Sequence, residues 1–321
     1  MPVTQTVVRE FETDLVVRAS EHVATDVVAM TLARPDGDEL PQWTPGAHVD
    51  LVLGDGLTRQ YSLCGRTSDT DSWRVAVLKS PDSRGGSQAV HALGVGSTVR
   101  VRGPRNHFPV VTSKRYVFIA GGIGITPLLP MIYEVEAAGA QWELHYGGRS
   151  LATMAFLGEL AEFGDRVHLV PQDEVGLLDL DALLEDPRPD TLVYACGPEP
   201  LLSAVEQRCT SWPSGALHLE RFTARQAETP ATESAFELVL QRSGKTVQVP
   251  PDKSVFDAVR ESGVSVLGSC LEGICGTCET EVIEGDLDHR DSILDEDERA
   301  SNEVMMICVS RCKSARLVLD L

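Results

Sequence analysis

Cys270, Cys275 and Cys278 stand at C-x4-C-x2-C spacing, which can wrap three thiolates around one metal centre. Two chemistries use such a set. Zinc sites usually add a second C-x2-C or a histidine pair, and the chain has neither nearby. The spacing is instead that of plant-type [2Fe–2S] clusters, in which each iron takes two thiolates. Gly268, Ser269, Gly273, Gly276 and Thr277 are small, so backbone N–H groups can approach the sulfurs. A fourth thiolate must come from further on, where Cys308, on a predicted strand, and Cys312 are both available.

Two upstream segments carry other chemistry. Arg59-Gln60-Tyr61-Ser62 offers a cation, a ring face and a hydroxyl, the groups a flavin needs around its phosphate, ring and polar edge. A strand with a surface arginine is the plainer reading. Arg84-Gly85-Gly86-Ser87 precedes a helix-like stretch, Gln88–Leu93, and can turn several N–H groups toward an anion. Ala120-Gly121-Gly122-Ile123-Gly124-Ile125-Thr126-Pro127 joins an apolar strand to a helix, with proline suited to the first helical turn. It is not G-x-G-x-x-G, so the usual dinucleotide fingerprint does not apply. Cys196-Gly197-Pro198 ends another apolar strand, at the carboxyl edge where α/β sheets bind ligands.

The elements that must position these groups fall into three stretches. Residues 1–110 hold short, β-branched runs bounded by turns, among them Leu15–Val17, Val27–Ala33, His48–Leu53, Arg74–Leu78 and Thr98–Arg102, and predict a β-barrel. Residues 111–224 alternate strand and helix: Tyr116–Ala120, Leu128–Ala138, Trp142–Tyr146, a helical segment reaching Phe163, Val167–Val170 and Thr191–Ala195. That alternation predicts a parallel α/β sheet. Residues 225–235 are polar and lack large apolar groups, a linker composition. Residues 236–321 predict a hairpin, a helix near Val255–Glu261, the cysteine loop and a closing strand.

The cysteine segment Ser269–Cys278, then His289-Arg290-Asp291, then Met305–Arg311, resembles the ferredoxin domain of Rieske-oxygenase reductases of the phthalate and vanillate type. Arg-x-Tyr-Ser, Gly-Gly-Ser and the Pro104–Pro109 exit resemble the flavin domain of the ferredoxin-reductase superfamily. The resemblance implies a flavin-binding β-barrel, an NAD-binding α/β domain and a β-grasp (α+β) ferredoxin domain. It implies Cys308 as the fourth cluster ligand, with Cys312 a spare thiol. It assigns Arg59, Tyr61, Ser62, Gly85, Gly86 and Ser87 to FMN, with FAD as the alternative, and puts Ser62 near the flavin N5.

Gly121, Gly122, Gly124, Ile125 and Thr126, with Cys196, Gly197 and Pro198, are implied as the pyridine-nucleotide site. Thr126 and Cys196 would flank the nicotinamide, and Phe222 would shield the flavin ring. Arg149 and Ser150 match the segment near the adenosine ribose; the family favours NADH, although an Arg-Ser pair can also suit NADPH. The implied path runs from NADH to FMN, then to the cluster and to a terminal oxygenase. A haem-thiolate monooxygenase as acceptor, or an iron–sulfur carrier or sensor without enzymatic activity, are the alternatives. Cys196 invites a nucleophile reading, but hydride transfer needs no covalent intermediate. Cys64 and Cys209 lack ligand spacing and read as small buried residues.

The formal net charge of −20 argues against nucleic-acid binding and against anionic membrane surfaces. The acidic excess can serve solubility or supply a docking face for a basic partner, most densely within Glu281–Glu298. No signal peptide or membrane span is evident, so a cytoplasmic protein is expected, and the family resemblance implies a monomer.

Overall fold

A computed structural model describes residues 11–54, 56–81, 83–224 and 234–321. The chain forms two compact units, one ending at Glu220 and the other spanning Arg221–Leu321. Most of the expected linker lies outside the described residues.

The first unit begins with β1 (Glu12–Ala24), β2 (Val27–Ala33), β3 (His48–Val52), β4 (Thr58–Ser62), β5 (Ser72–Leu78), α1 (Gly86–His91) and β6 (Thr98–Arg105). These strands form one sheet in the order β4-β3-β6-β1-β2-β5. A bridge from Leu63, just past β4, to Val75 of β5 closes it into a barrel. Inward residues such as Leu15, Val17, Leu51, Trp73 and Val101 are fully buried. β1 runs well beyond the short strand expected, because its second half pairs with β2 while showing water a polar face.

An all-parallel sheet follows: β7 (Arg115–Gly121), α2 (Ile125–Ala137), β8 (Gln141–Gly148), α3 (Leu157–Leu160), β9 (Val167–Pro171), α4 (Gln172–Val175), α5 (Leu180–Leu184), β10 (Thr191–Cys196), α6 (Glu199–Arg208) and β11 (Leu217–Glu220). Its order is β11-β10-β7-β8-β9. The chain therefore steps one way from β7 and returns on its other side at β10, which opens a switch point between the carboxyl ends of β7 and β10. The segment expected to be helical up to Phe163 is instead a short helix flanked by 3-10 turns. Phe156 and Gly164, both at positive φ, interrupt it.

A charged clamp ties the parallel sheet to the barrel. Arg74 of β5 donates two bonds of 2.9 Å to Glu159 of α3, and the Tyr133 hydroxyl donates a third at 2.5 Å. Two N–H groups of one guanidinium on one carboxylate make a strong, directional pair.

The second unit comprises β12 (Phe236–Leu240), β13 (Lys245–Val249), α7 (Val255–Glu261), β14 (Glu279–Glu284), β15 (Leu287–Asp288), α8 (Glu296–Ser301), β16 (Val304–Met306), β17 (Arg311–Cys312) and β18 (Arg316–Leu319). The main sheet runs β13-β12-β18-β14-β16, with α7 packed on it through Val255, Phe256 and Val259. Part of the acidic stretch is structured: α8 starts on a capping box between Asp295 and Glu298. Asp291 does not join a docking face, because it is 4% exposed and accepts the N–H groups of Ile293 and Leu294. Among the described residues no helix is long and apolar enough to cross a membrane.

Candidate functional site

Four groups from four separate strand ends meet in the first unit. β4 delivers Ser62 at its last residue, and β10 delivers Cys196 at its own. Between them stands Glu220, the last residue of β11: its Oε2 accepts from Ser62 Oγ at 3.4 Å and lies 4.0 Å from Cys196 Sγ. The fourth contribution is the turn after β7. A methyl on Gly124 would overlap the Cys196 carbonyl, and one on Gly121 would lie 2.6 Å from Pro198 and 2.7 Å from Leu201. Only glycine lets the two nucleotide motifs touch. Gly124→Ala is therefore expected to lower the melting temperature and weaken pyridine-nucleotide binding together, read by thermal unfolding and by nucleotide titration.

Burial sets the protonation of this cluster. It raises the Glu220 carboxyl to about 8, against a smaller lowering effect of the Ser62 hydrogen bond. It also pushes the Cys196 thiol well up, helped by Glu220, so the thiol stays protonated. A thiol held in its protonated form is a poor nucleophile. Sequence spacing did not single out Glu220, which lies 158 residues from Ser62.

The remaining expected positions are arranged as follows. Arg59 lies across Gly86, where an added Cβ would come 2.5 Å from Arg59 Cγ, and its Nη2 donates to the Arg84 carbonyl at 3.3 Å. Gly85 has φ +91, a conformation that bulkier residues rarely adopt. Ser87 Oγ accepts from Ser80 N at 3.2 Å and thereby closes that loop. The Tyr61 ring packs partly on the barrel core, and burial raises its hydroxyl to about 12.

The Thr126 hydroxyl is already spent on the Ile123 carbonyl at 2.9 Å, so Thr126 braces the turn. Ile125 is fully buried, and the Gly122 carbonyl accepts from Tyr146. Gly197 approaches Gly121, and Pro198 precedes α6. Arg149 is exposed, its carbonyl accepting from Asp173 N at 3.1 Å; Ser150 N donates to Thr153 Oγ1. Phe222 lies just past β11 and is 39% exposed.

In the second unit the four cysteines form two pairs, Cys270 with Cys275 and Cys278 with Cys308. Among the described residues only Glu143, His145 and His168 bring three such ligand atoms within 4.8 Å of one another. The cysteine sulfurs therefore do not converge as tetrahedral zinc requires, with sulfurs about 3.8 Å apart at Zn–S distances near 2.3 Å. Two separated pairs suit two irons.

Within each pair a hydrogen bond from the partner holds one thiol down, Cys275 to about 6 and Cys278 also lowered. Cys270 N donates to Cys275 Sγ at 3.5 Å, Glu272 N to Cys270 Sγ at 3.3 Å, and Thr277 Oγ1 lies 3.2 Å from Cys275 Sγ. Cys308 sits in a turn and not on the strand expected: β16 stops at Met306, whose carbonyl accepts from Val309 and Ser310. That turn swings the Cys308 side chain to Cys278. Cys312, on β17, instead meets Ser314 Oγ at 3.0 Å and the Arg316 carbonyl at 3.5 Å. Cys64 and Cys209 are buried, as expected.

Residues 238–313 match the family model described as a 2Fe-2S iron-sulfur cluster binding domain. The putative toluene-4-sulfonate monooxygenase system reductase subunit of Comamonas testosteroni is 45% identical, over 95% of this chain and 98% of its own length. The chain belongs to the oxygenase-reductase family. Phthalate dioxygenase reductase, described as a modular structure for electron transfer from pyridine nucleotides to [2Fe-2S], superposes with TM-score 0.70 at 34% identity, covering 97% of this oxygenase reductase and 98% of that chain. An intact type IV self-sufficient cytochrome P450 monooxygenase gives TM-score 0.92 and 46% identity over 97% of this chain, which spans 41% of its length. The present protein is thus an oxidoreductase component that carries a [2Fe–2S] cluster, with a fold that binds flavin and pyridine nucleotide, and it serves an oxygenase.

Proposed function

We propose that this oxygenase reductase takes electrons from NADH through FMN and a [2Fe–2S] cluster to a Rieske-type terminal oxygenase. The observation that carries the reading is the meeting of Ser62, Cys196 and Glu220, which joins the flavin motif of the barrel to the nucleotide motifs of the parallel sheet. When bound, the flavin accepts two electrons at once and the cluster carries them singly. In this reading residues 1–110 hold the flavin, 111–224 the nucleotide and 236–321 the cluster, with 225–235 as linker, and the protein acts as a monomer in the cytoplasm.

Arg59 and the Gly85–Ser87 backbone would hold the flavin phosphate, a compact cradle suited to FMN. Arg59→Gln removes a charge-assisted contact worth about 1.5–3 kcal/mol, so FMN should bind roughly 10–100-fold more weakly in a fluorescence titration. Ser62 would hydrogen-bond the flavin edge, and Glu220 can pass a proton through that hydroxyl. Gly121–Thr126 and Cys196–Pro198 would seat the nicotinamide half of the nucleotide, with Phe222 covering the flavin. The backbone bond from Asp173 to Arg149 sets an acidic residue next to the segment assigned to the adenosine ribose, which would disfavour a 2′-phosphate and so supports NADH over NADPH. Cys270 and Cys275 would bind one iron, Cys278 and Cys308 the other.

The likeness to the self-sufficient P450 supports a second reading, in which the acceptor is a haem-thiolate monooxygenase. Anaerobic NADH titration should bleach flavin and cluster bands, and unchanged spectra would remove the redox reading altogether. Reconstitution with a purified Rieske oxygenase and with a haem-thiolate monooxygenase separates the acceptors; reduction of the haem protein alone favours the second.

A further inference from the structure

Away from the redox groups, a cluster of metal-ligating side chains stands on the outer strands of the parallel sheet. Glu143 and His145 are two residues apart on β8 and so share one face. The register sets His168 of β9 directly beside His145. The two imidazoles stack, with centroids 4.6 Å apart and planes at 21°. Both rings turn Nε2 toward the same carboxylate oxygen: Glu143 Oε2 lies 3.0 Å from His145 and 4.0 Å from His168.

The other carboxylate oxygen is taken by Arg188 at 2.8 Å, and Arg188 is itself anchored on the Leu183 carbonyl. The carboxylate is thereby fixed with Oε2 facing the rings. His168 keeps 47% of its side chain exposed, so the cluster opens to solvent.

We propose that Glu143, His145 and His168 form a binding site for a zinc-class divalent cation. Two imidazoles and one carboxylate suit borderline metals, whereas magnesium and calcium prefer oxygen donors throughout. In a tetrahedral zinc site the nitrogen and oxygen ligands stand about 3.3 Å apart, between the two separations found here. One imidazole must turn out of the stack so that both Nε2 lone pairs aim at one ion, which replaces the His145–Glu143 hydrogen bond, and water takes the fourth position. Arg188 then acts as the outer partner that orients the carboxylate. A bound ion would tie the edge strand β9 to β8.

The test is calorimetric titration of zinc chloride into the flavin- and cluster-loaded protein, with cluster absorbance followed so that displaced iron is seen. The parent should take up an ion that His168→Asn and Glu143→Gln each bind at least about tenfold more weakly. Zinc should raise the melting temperature of the parent but not of His168→Asn, and magnesium should do neither. Both variants should keep NADH–ferricyanide turnover, which shows them folded. Identical zinc isotherms for parent and variants, or no uptake by the parent up to about 1 mM zinc, would overturn the site.

Discussion

Cys308→Ser should abolish NADH-driven cytochrome c reduction and strip both irons, while NADH–ferricyanide turnover, which needs only flavin, stays near the parent rate. Cys312→Ser should change none of these. The contrast follows from where the two sulfurs point. Cys308 is 8% exposed and hydrogen-bonded to Cys278, whereas Cys312 spends its sulfur on Ser314 and the Arg316 carbonyl. Losing one thiolate leaves an iron with an incomplete shell in a loop built for full coordination, so the cluster as a whole is lost. Iron analysis and the visible spectrum of each variant decide the matter. A Cys308→Ser protein that keeps its iron, or a Cys312→Ser protein that loses it, would reverse the ligand assignment.

The loop around those ligands shows why some of the site could be read without coordinates. A cluster needs closely spaced thiols and small neighbours, and a phosphate or nicotinamide needs glycine turns; both demands write themselves into short runs of sequence. The structure gives those glycines their reason, since Gly124 must admit the Cys196 carbonyl and Gly273 must admit Val309 and the Asp291 backbone. Groups recruited singly from distant strand ends leave no such trace. Glu220 is an unremarkable glutamate closing a short strand; the pairing of β11 with β10 sets it beside Cys196, and the packing of the parallel sheet on the barrel brings it to Ser62.

Asp291 was hidden differently. It sits in an acidic run and reads as solvated, yet it is a buried anchor: it caps the turn at Ile293–Leu294 while neighbouring Ser292 N donates to the Gly273 carbonyl of the cysteine loop. The apolar Ile293-Leu294 pair that follows it is the one local hint of burial. The turn at Cys308 was masked by the apolar run Met305-Met306-Ile307, which suits a strand and a buried turn equally well.

Glu220→Gln should stabilise the protein at alkaline pH and slow its electron delivery. The folded carboxyl titrates at about 8 against an ordinary value of 4.5, chiefly because burial penalises its charge. The folded state therefore holds a proton that the unfolded chain has already released. The stability owed to that proton is complete below about pH 4.5 and is lost progressively as the pH rises to about 8. The full span corresponds to at most about 5 kcal/mol, and to less here because Glu220 keeps some contact with water. Glutamine stays neutral throughout, so the melting-temperature gain of the variant should be absent near pH 4.5, grow up to pH 8 and then level off.

The same proton supports function if Glu220 exchanges it with the flavin edge through Ser62. Cytochrome c reduction by the parent should then fall as the pH passes through about 8. The variant should be slower, on the order of 100-fold, and flat across that window. A carboxylate kept only for packing would show the stability gain without the change in pH profile, so the two measurements together separate a proton carrier from a structural residue.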